Sequence, residues 1–168
     1  MTTFDLRTLR MRSGDQAHER VELELEPLLL GGQAYEPRPN PVPAELAVTR
    51  ASSGTVLELG FELTLDGPCF RCLTDAELPV SLSLREYEAT KPESDDEQTE
   101  YLADDRLDLS AWAHDAIALA LPDKILCRPD CAGLCPVCGK DLNVEPHEHT
   151  EERTDPRWAK LSELQREA

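Results

Sequence analysis

The chain has 168 residues, 40% of them hydrophobic and only 5% aromatic, so we expect one domain with a modest aliphatic core and, at most, a small metal-stapled appendage. Its 34 acidic residues outnumber 17 basic ones, and the net charge of −17 repels phosphate backbones and argues against tight autonomous binding to nucleic acid. Neither an apolar leader nor a membrane-spanning run is visible, so we expect a cytoplasmic protein whose thiols stay reduced.

The N-terminal part predicts a basic arm followed by a strand. Residues 4–11 alternate weakly in hydrophobicity and carry Arg7 and Arg10, with Arg12 just beyond, so they could form an edge strand or a mobile arm. Residues 21–26 alternate strictly between apolar residues and glutamates, which is typical of a half-exposed antiparallel strand. In so acidic a chain, the arm is the one place where we expect any contact with RNA.

The middle of the chain predicts a loop and then a β-hairpin. Residues 35–43 contain four prolines, which predicts an extended loop. After a short strand, residues 57–65 show the clearest alternation in the sequence, and the alternation resumes at residues 78–84. Cys69 and Cys72 lie between these two strands, so we expect the pair at the tip of a hairpin.

An acidic segment precedes a predicted helix. Residues 93–105 contain seven acidic residues and no basic residue, which indicates an acidic linker or mobile loop at 92–105. Apolar residues then recur at helical spacing through 108–121, and Asp108 or Ser110 can cap the N-terminus of that helix. We expect the small apolar residues of the helix to pack closely against the sheet.

These elements predict an α+β fold: an antiparallel β-sheet that could be partly barrel-like, a packed helix and a zinc-bound C-terminal element. We place the sheet domain at residues 1–125 and the cysteine and histidine element at 126–168. The second region ends in a predicted helix, because Asp155 and Pro156 form a strong helix start. We expect the apolar stripe of this C-terminal helix to dock on the domain.

Eight cysteine and histidine residues are candidate metal ligands. The most specific signal is the sequence Cys-Pro-Val-Cys-Gly at 135–139, which has the form of a zinc knuckle, with Gly139 placed where positive φ is needed. In a reducing compartment such clustered pairs favour metal binding over disulfides. The candidate ligands are Cys69, Cys72, Cys127, Cys131, Cys135, Cys138, His147 and His149.

Eight ligands are enough for two tetrahedral sites, and we expect two zinc ions. In the arrangement we favour, one site is made by Cys69, Cys72, Cys127 and Cys131, and the other by Cys135, Cys138, His147 and His149. A second arrangement, in which the four cysteines of residues 127–138 share one ion, stays open at this point. Arg71, Arg128 and Lys140 lie near the ligands in sequence and could compensate the charge of the thiolates.

Other chemistries fit the pattern less well. A thioredoxin-like redox pair would stand between a strand and a helix, whereas Cys69 and Cys72 are predicted in a hairpin. A rubredoxin-type iron site prefers two similar knuckles without histidines. A catalytic zinc needs an open coordination position, and none is left when four ligands fill each site. Because no motif of a common enzyme class is visible either, we expect a protein that is not an enzyme.

Residues 120–143, ALPDKILCRPDCAGLCPVCGKDLN, resemble the hallmark of the YceD family, the large ribosomal RNA subunit accumulation proteins. The upstream cysteine pair, the acidic stretch and DPRWAKLSEL at 155–164 extend the resemblance to about residues 4–165. The six cysteines occupy the family's cysteine positions. Many relatives end the cluster with a cysteine-x-cysteine pair, where this chain has His147 and His149, an exchange that zinc tolerates.

The resemblance implies a non-enzymatic factor in large ribosomal subunit biogenesis and the accumulation of its RNA. The partner expected from the net charge is a large-subunit precursor, reached through a basic ribosomal protein rather than through naked RNA. Two alternatives from other classes are a zinc-dependent redox sensor or metal-handling protein, and a zinc-containing transcription or DNA-binding module. The second would need a basic recognition helix, which the C-terminal helix does not offer.

Overall fold

A computed structural model of the protein describes residues 1–94 and 97–149, and a long β-hairpin forms the centre of its fold. Strands β6 (Gly54–Pro68) and β7 (Asp75–Ala89) pair antiparallel over their whole length, from Gly54 opposite Ala89 to Pro68 opposite Asp75. The strict alternation of this sequence favours strands because one face is buried and the other is solvated. The turn of the hairpin carries Cys69 and Cys72, so the predicted placement of this pair is confirmed.

Seven further strands in residues 1–94 and 97–149 complete two antiparallel sheets. The larger sheet has the order β2-β5-β6-β4-β3, with β7 on the other side of β6, and the smaller has the order β1-β9-β8. The bounds are β1 Thr3–Asp5, β2 Gln16–Leu23, β3 Leu28–Leu30, β4 Gln33–Arg38, β5 Val42–Arg50, β8 Leu102–Ala103 and β9 Arg106–Asp108.

The larger sheet is not a closed barrel, and the expectation of a partly barrel-like sheet is wrong. Strand β2 pairs only with β5, and β7 pairs only with β6, within the residues that the structure describes. Strands β2, β7 and also β3, which pairs only with β4, therefore keep an unpaired edge in the described residues, whereas a closed barrel leaves no such edge. The prediction of an antiparallel sheet with a helix is confirmed.

One face of the larger sheet forms the core. Alternate residues of β5 and β6 are buried, whereas Glu62 between them is exposed, as the period of two predicts. Each buried leucine or valine contributes about 1.5–3 kcal/mol by leaving water. The fully buried members include Leu23, Val42, Leu46, Val48, Leu57, Leu59 and Leu65.

The proline-rich residues 35–43 are mostly strand, so the loop predicted there is wrong in extent. Strand β4 runs to Arg38 and β5 begins at Val42. Pro37 is tolerated because β3 pairs only with residues 33–35 of β4, which leaves one side of Pro37 without a ladder. Pro43 pairs with β2 but lies just outside the ladder between β5 and β6.

Helix α1 spans Leu109–Ala120, close to the predicted 108–121. Asp108 is its N-cap, since its carboxylate accepts a hydrogen bond of 3.0 Å from the backbone N–H of Ala111. The helix buries Leu109, Trp112, Ala113 and Ile117. The predicted second helix, with its start at Asp155, lies outside the described residues.

Regular structure occurs in the N-terminal segment, predicted as an edge strand or a mobile arm, and in the acidic segment, predicted as a linker or mobile loop. The edge-strand alternative holds for the first, since β1 lies at the edge of the smaller sheet. The N-terminal arm is strand β1 followed by a 3-10 helix at Leu6–Leu9, in which Leu6 is buried. In the acidic segment Leu102–Ala103 form strand β8, and the ring of Tyr101 stacks 6.2 Å from that of Trp112. The buried Leu6 and the stacked Tyr101 therefore order parts of two segments whose charge pattern alone did not require it.

The chain divides into two compact units, Met1–Cys131 and Ala132–Ala168. The first holds both sheets and α1, and the second, as far as it is described, holds the short turns of residues 132–149. Among the described residues no helix has the length and apolar character needed to cross a membrane. Each unit carries one of the two groups of candidate ligands.

Candidate metal centres

The first centre joins the tip of the β6–β7 hairpin to the segment after α1. Two hydrogen bonds hold them together: the backbone N–H of Phe70 donates to the carbonyl of Ile125 at 2.8 Å, and the Arg71 guanidinium donates to the carbonyl of Cys131 at 2.7 Å. Ile125 is buried and anchors the segment. Four sulfur atoms, those of Cys69, Cys72, Cys127 and Cys131, consequently lie within 4.8 Å of one another.

The sulfur separations fit a tetrahedral metal site. The Sγ atoms of Cys69 and Cys131 are 3.8 Å apart, and those of Cys72 and Cys127 are 3.6 Å apart. Four sulfurs at about 2.3 Å from a central zinc ion would lie about 3.8 Å from one another. A disulfide requires about 2.05 Å, so the arrangement is that of four free thiols around a common centre.

The electrostatics of the first centre favour a cation. Burial alone would raise the pKa of Cys69, but the backbone N–H groups of Cys72, Cys127 and Arg71 lower it to about 6. Cys127 is exposed as a whole, but loss of water around its sulfur, and then the neighbouring sulfur of Cys72, raise its pKa to about 12. A Cys127 thiol with so high a pKa stays protonated at neutral pH, whereas a bound metal ion would favour its thiolate.

The second centre is built on a knuckle in the smaller unit. The backbone N–H of Gly139 donates to the carbonyl of Cys135 at 2.8 Å, and Gly139 has φ of +72°, as its position past the second thiol predicts. The turn brings Cys135 and Cys138 to one side. The ligand atoms of these cysteines and of His147 and His149 lie within 4.8 Å of one another.

His147 is oriented by the backbone. Its Nδ1 lies 2.7 Å from the carbonyl oxygen of Glu145, a contact that requires Nδ1–H as donor and leaves Nε2 as the free ligand atom. That Nε2 is 3.1 Å from the Sγ of Cys138. The Glu145 carbonyl, and then Cys135, raise the pKa of His147. The rings of His147 and His149 meet edge to face, 4.9 Å between centroids.

Hydrogen bonds within the smaller unit hold the second centre in place. The N–H of Leu142 donates to Gly133, and the N–H of Cys135 donates to Lys140, at 2.9 and 2.8 Å. The Lys140 ammonium is 3.0 Å from the carboxylate of Glu145, the residue whose carbonyl orients His147. The N–H of Cys138 lowers the pKa of Cys135 to about 6, so that thiol ionises readily.

The eight candidate ligands thus fall into two groups of four, the same two sets that the favoured arrangement predicts. Each group could hold a metal ion. Sequence reasoning missed two supporting groups: the Thr74 hydroxyl, 3.0 Å from the Sγ of Cys72, and the Glu145 carbonyl. Thr74 could have been suspected from its place two residues after the knuckle, whereas a backbone carbonyl leaves no signal in a sequence.

Comparisons with known proteins agree with the sequence resemblance. A profile described as "Large ribosomal RNA subunit accumulation protein YceD" matches residues 57–165. An uncharacterised protein of Mycobacterium tuberculosis is 34% identical, over 96% of this chain and 80% of its own length. The uncharacterised protein YlbN of Bacillus subtilis is 30% identical, over 64% of this chain and 66% of its own length. No solved structure is significantly similar to the chain.

Proposed function

The chain belongs to the YceD family, the large ribosomal RNA subunit accumulation proteins, and we propose that it is a cytoplasmic, non-enzymatic zinc-binding factor in large ribosomal subunit biogenesis. The observation that carries the proposal is the presence, in a member of that family, of two separate four-ligand centres with the spacing of closed metal sites. A zinc site with four protein ligands stabilises a fold and leaves no position for a substrate. The factor would therefore act by binding its partner through a surface that the zinc ions hold in shape.

Zinc is the metal that fits both centres, because it accepts four thiolates or two thiolates and two imidazoles in one geometry. Cys69, Cys72, Cys127 and Cys131 would hold the first ion with a net charge of −2. The second centre would be neutral. Bound zinc supplies a cross-link between segments far apart in the chain, and 54 residues separate Cys72 from Cys127.

A structural role follows from the number of ligands. A catalytic zinc keeps one position for water or substrate, whereas each centre here offers four protein ligands. The donors around the sulfurs of Cys69 and Cys135 are mainly backbone N–H groups, and such groups also stabilise structural thiolates. We therefore propose no reaction for this protein.

A basic protein is the partner that fits the charge. The outer face of the larger sheet holds an open groove of about 980 Å³, lined by Glu22, Glu45 and Glu62 with Arg20 as the one cation. This face adds to the net charge of −17 and would attract lysine- and arginine-rich segments, such as those of ribosomal proteins, over a distance of about 8 Å at physiological salt.

A redox sensor or metal-handling protein is the second candidate, because Cys127 and Cys138 are exposed and within reach of oxidants or metal acceptors. Two measurements on the intact chain separate the two functions: metal content by native mass spectrometry, and cosedimentation with ribosomal fractions. Two tightly held zinc ions with association to large-subunit precursors support the proposal. Labile metal, reversible disulfides and no cosedimentation would favour the second candidate.

A further inference from the structure

A small basic cavity lies beneath the N-terminal segment of this acidic protein. Its volume is about 220 Å³, and its lining includes the side chains of Arg7, Arg10 and Arg50 together with the Thr55 hydroxyl. We call it the arginine cavity. Only 17 residues of the chain are basic, so three arginines around one cavity are a local reversal of its charge.

The backbone around the arginine cavity is held by hydrogen bonds rather than left as a free arm. Leu6, at the start of the 3-10 helix, donates its N–H to the carbonyl of Asp105 at 2.9 Å. The next loop is tied to the end of β5 twice: Gly14 donates to Arg50 at 2.7 Å, and Arg50 donates to Asp15 at 2.9 Å. The guanidinium groups therefore need little further backbone ordering to meet a ligand.

The arginines of this region have donors to spare. Arg50 is half-buried and donates to the Thr55 hydroxyl at 2.8 Å, which uses a small part of its five N–H donors. Arg10 and Arg12 are exposed and make no ion pair within the described parts of the chain. Arg7 differs, because its Nε is 3.0 Å from the Asp5 carboxylate.

The cavity also has one acidic wall, at Asp105. Because Asp5 neutralises Arg7, the charges that count at its lining are those of Arg10, Arg50 and Asp105, which leave a formal charge of +1. Elsewhere many basic residues face an acid at close range, as Arg38 faces Asp66 at 2.7 Å. Arg10, Arg12 and Arg50 make no ion pair within the described residues, and neither do Arg20, Arg71 and Arg106. What distinguishes this region is that such groups cluster at one cavity, which Arg10 and Arg50 line and Arg12 adjoins in sequence.

We propose that the arginine cavity and the adjoining Arg12 form a contact site for the phosphate groups of an RNA backbone. Guanidinium groups match phosphate oxygens in paired hydrogen bonds, and exposed neighbouring arginines suit a chain of phosphates better than a single buried ion. The inference rests on the proposed function and deepens it: the acidic sheet face meets protein, and this site meets the RNA of the same precursor.

The size of the site predicts a weak, salt-sensitive contact. The net charge of −17 acts over the whole molecule, but at physiological salt it is screened beyond about 8 Å, so the local arginines dominate at contact distance. Three phosphate contacts on a single strand would give a slope of log K against log salt of roughly −2. Such a site would position the RNA on the protein and would add affinity to a complex that is already held by protein contacts.

The test uses the full zinc-loaded chain and a short fluorescent single-stranded oligoribonucleotide at low salt. We expect measurable binding that Arg10→Ala weakens by about tenfold, while the salt slope falls by roughly one. Arg10→Lys keeps the charge and should restore most of the binding. Arg20→Ala is the matched control, because it removes an equally exposed arginine from the outer sheet face and should leave binding unchanged.

No binding by the parent chain, or an equal loss in Arg10→Ala and Arg20→Ala, would overturn the inference. Displacement of the RNA by polyglutamate but not by an excess of an unrelated RNA would overturn it too, since the site would then recognise an acidic protein. Cosedimentation of Arg10→Ala with large-subunit precursors separates this failure from failure of the proposed function. A chain that associates with precursors but not with the RNA probe refutes the RNA site alone.

Discussion

Leu73 and Gly139 occupy the same position in two knuckles, and each donates its backbone N–H to the carbonyl of the first cysteine of its pair. The distances are 3.0 Å to Cys69 and 2.8 Å to Cys135, and φ is +62° and +72°. Only glycine adopts this left-handed backbone without strain. The first knuckle therefore forms although its sequence lacks the glycine that marks the second.

Leu73→Gly should stabilise the protein. The substitution relieves the left-handed strain of a residue whose side chain is 55% exposed, so little buried area is lost. After the added chain entropy of glycine is subtracted, we expect a gain of roughly 0.5–1 kcal/mol in the free energy of unfolding. Urea denaturation of the zinc-loaded chain measures it. Leu73→Ala keeps the strain and is the control; an equal gain there would contradict the explanation.

Gly67→Ala should damage the support of the first centre. A Cβ at Gly67 would collide with the ring of Tyr35, whose hydroxyl donates to the carbonyl of Pro68 just before the knuckle. Overpacking of this kind costs about 1–3 kcal/mol. Thermal unfolding should show the loss. Gly60→Ala lies on the same strand with open space around the new atom, and it should be close to neutral.

Loss of the helix cap should cost stability without touching the metal. Asp108→Ala removes the carboxylate that accepts from Ala111, at an expected cost of about 1 kcal/mol. Asp108→Asn keeps a capping oxygen and should recover most of it. Zinc content should be unchanged in both variants, and loss of zinc in Asp108→Ala would show that the cap does more than start the helix.

The two centres should lose metal independently. Cys72→Ser removes one ligand of the first centre, and Cys138→Ser removes one ligand of the second, so each variant should retain one zinc ion. A colorimetric zinc assay on denatured protein gives the count. If Cys138→Ser also emptied the first centre, the two sites would be one cooperative unit, against the separation of their ligand sets.

The sequence was most informative where one local rule decided the structure. Alternation predicted the β6–β7 hairpin, because one buried face fixes the register over fifteen residues. Spacing indicated eight candidate ligands and favoured one of two ways to divide them, and the two groups of four whose ligand atoms lie within 4.8 Å of one another match the favoured division. The sequence offered Asp108 or Ser110 as the helix cap, and the structure has Asp108.

Elsewhere contacts between residues distant in the chain gave a structure different from the one that the local sequence pattern predicted. Residues 35–43 looked like a loop because of their prolines, but Pro37 and Pro43 fall where one side of the strand has no ladder. The charge of residues 92–105 concealed Thr99, which is buried, and Leu102, which pairs with Leu107 in strand β8. A pattern cannot reveal which neighbour will cover a residue that is distant in the chain.

Removal of metal should loosen the cysteine segment and leave the sheet intact. The first centre ties residues 125–131 to the hairpin tip, whereas β5 and β6 are held by their own buried faces. After chelation we expect faster amide exchange at residues 125–149 and unchanged protection in β5 and β6. Full retention of protection at 125–149 would mean that zinc is not what holds the segment.

The mass of the intact chain under native conditions, purified without chelator, tests most directly whether the protein holds two zinc ions. We predict one dominant species that carries two zinc ions, with all six cysteines as free thiols once the metal is removed. A chain that carries no metal, or a mass lowered by the hydrogens lost in disulfide bonds, would contradict the claim that two closed zinc centres shape this protein.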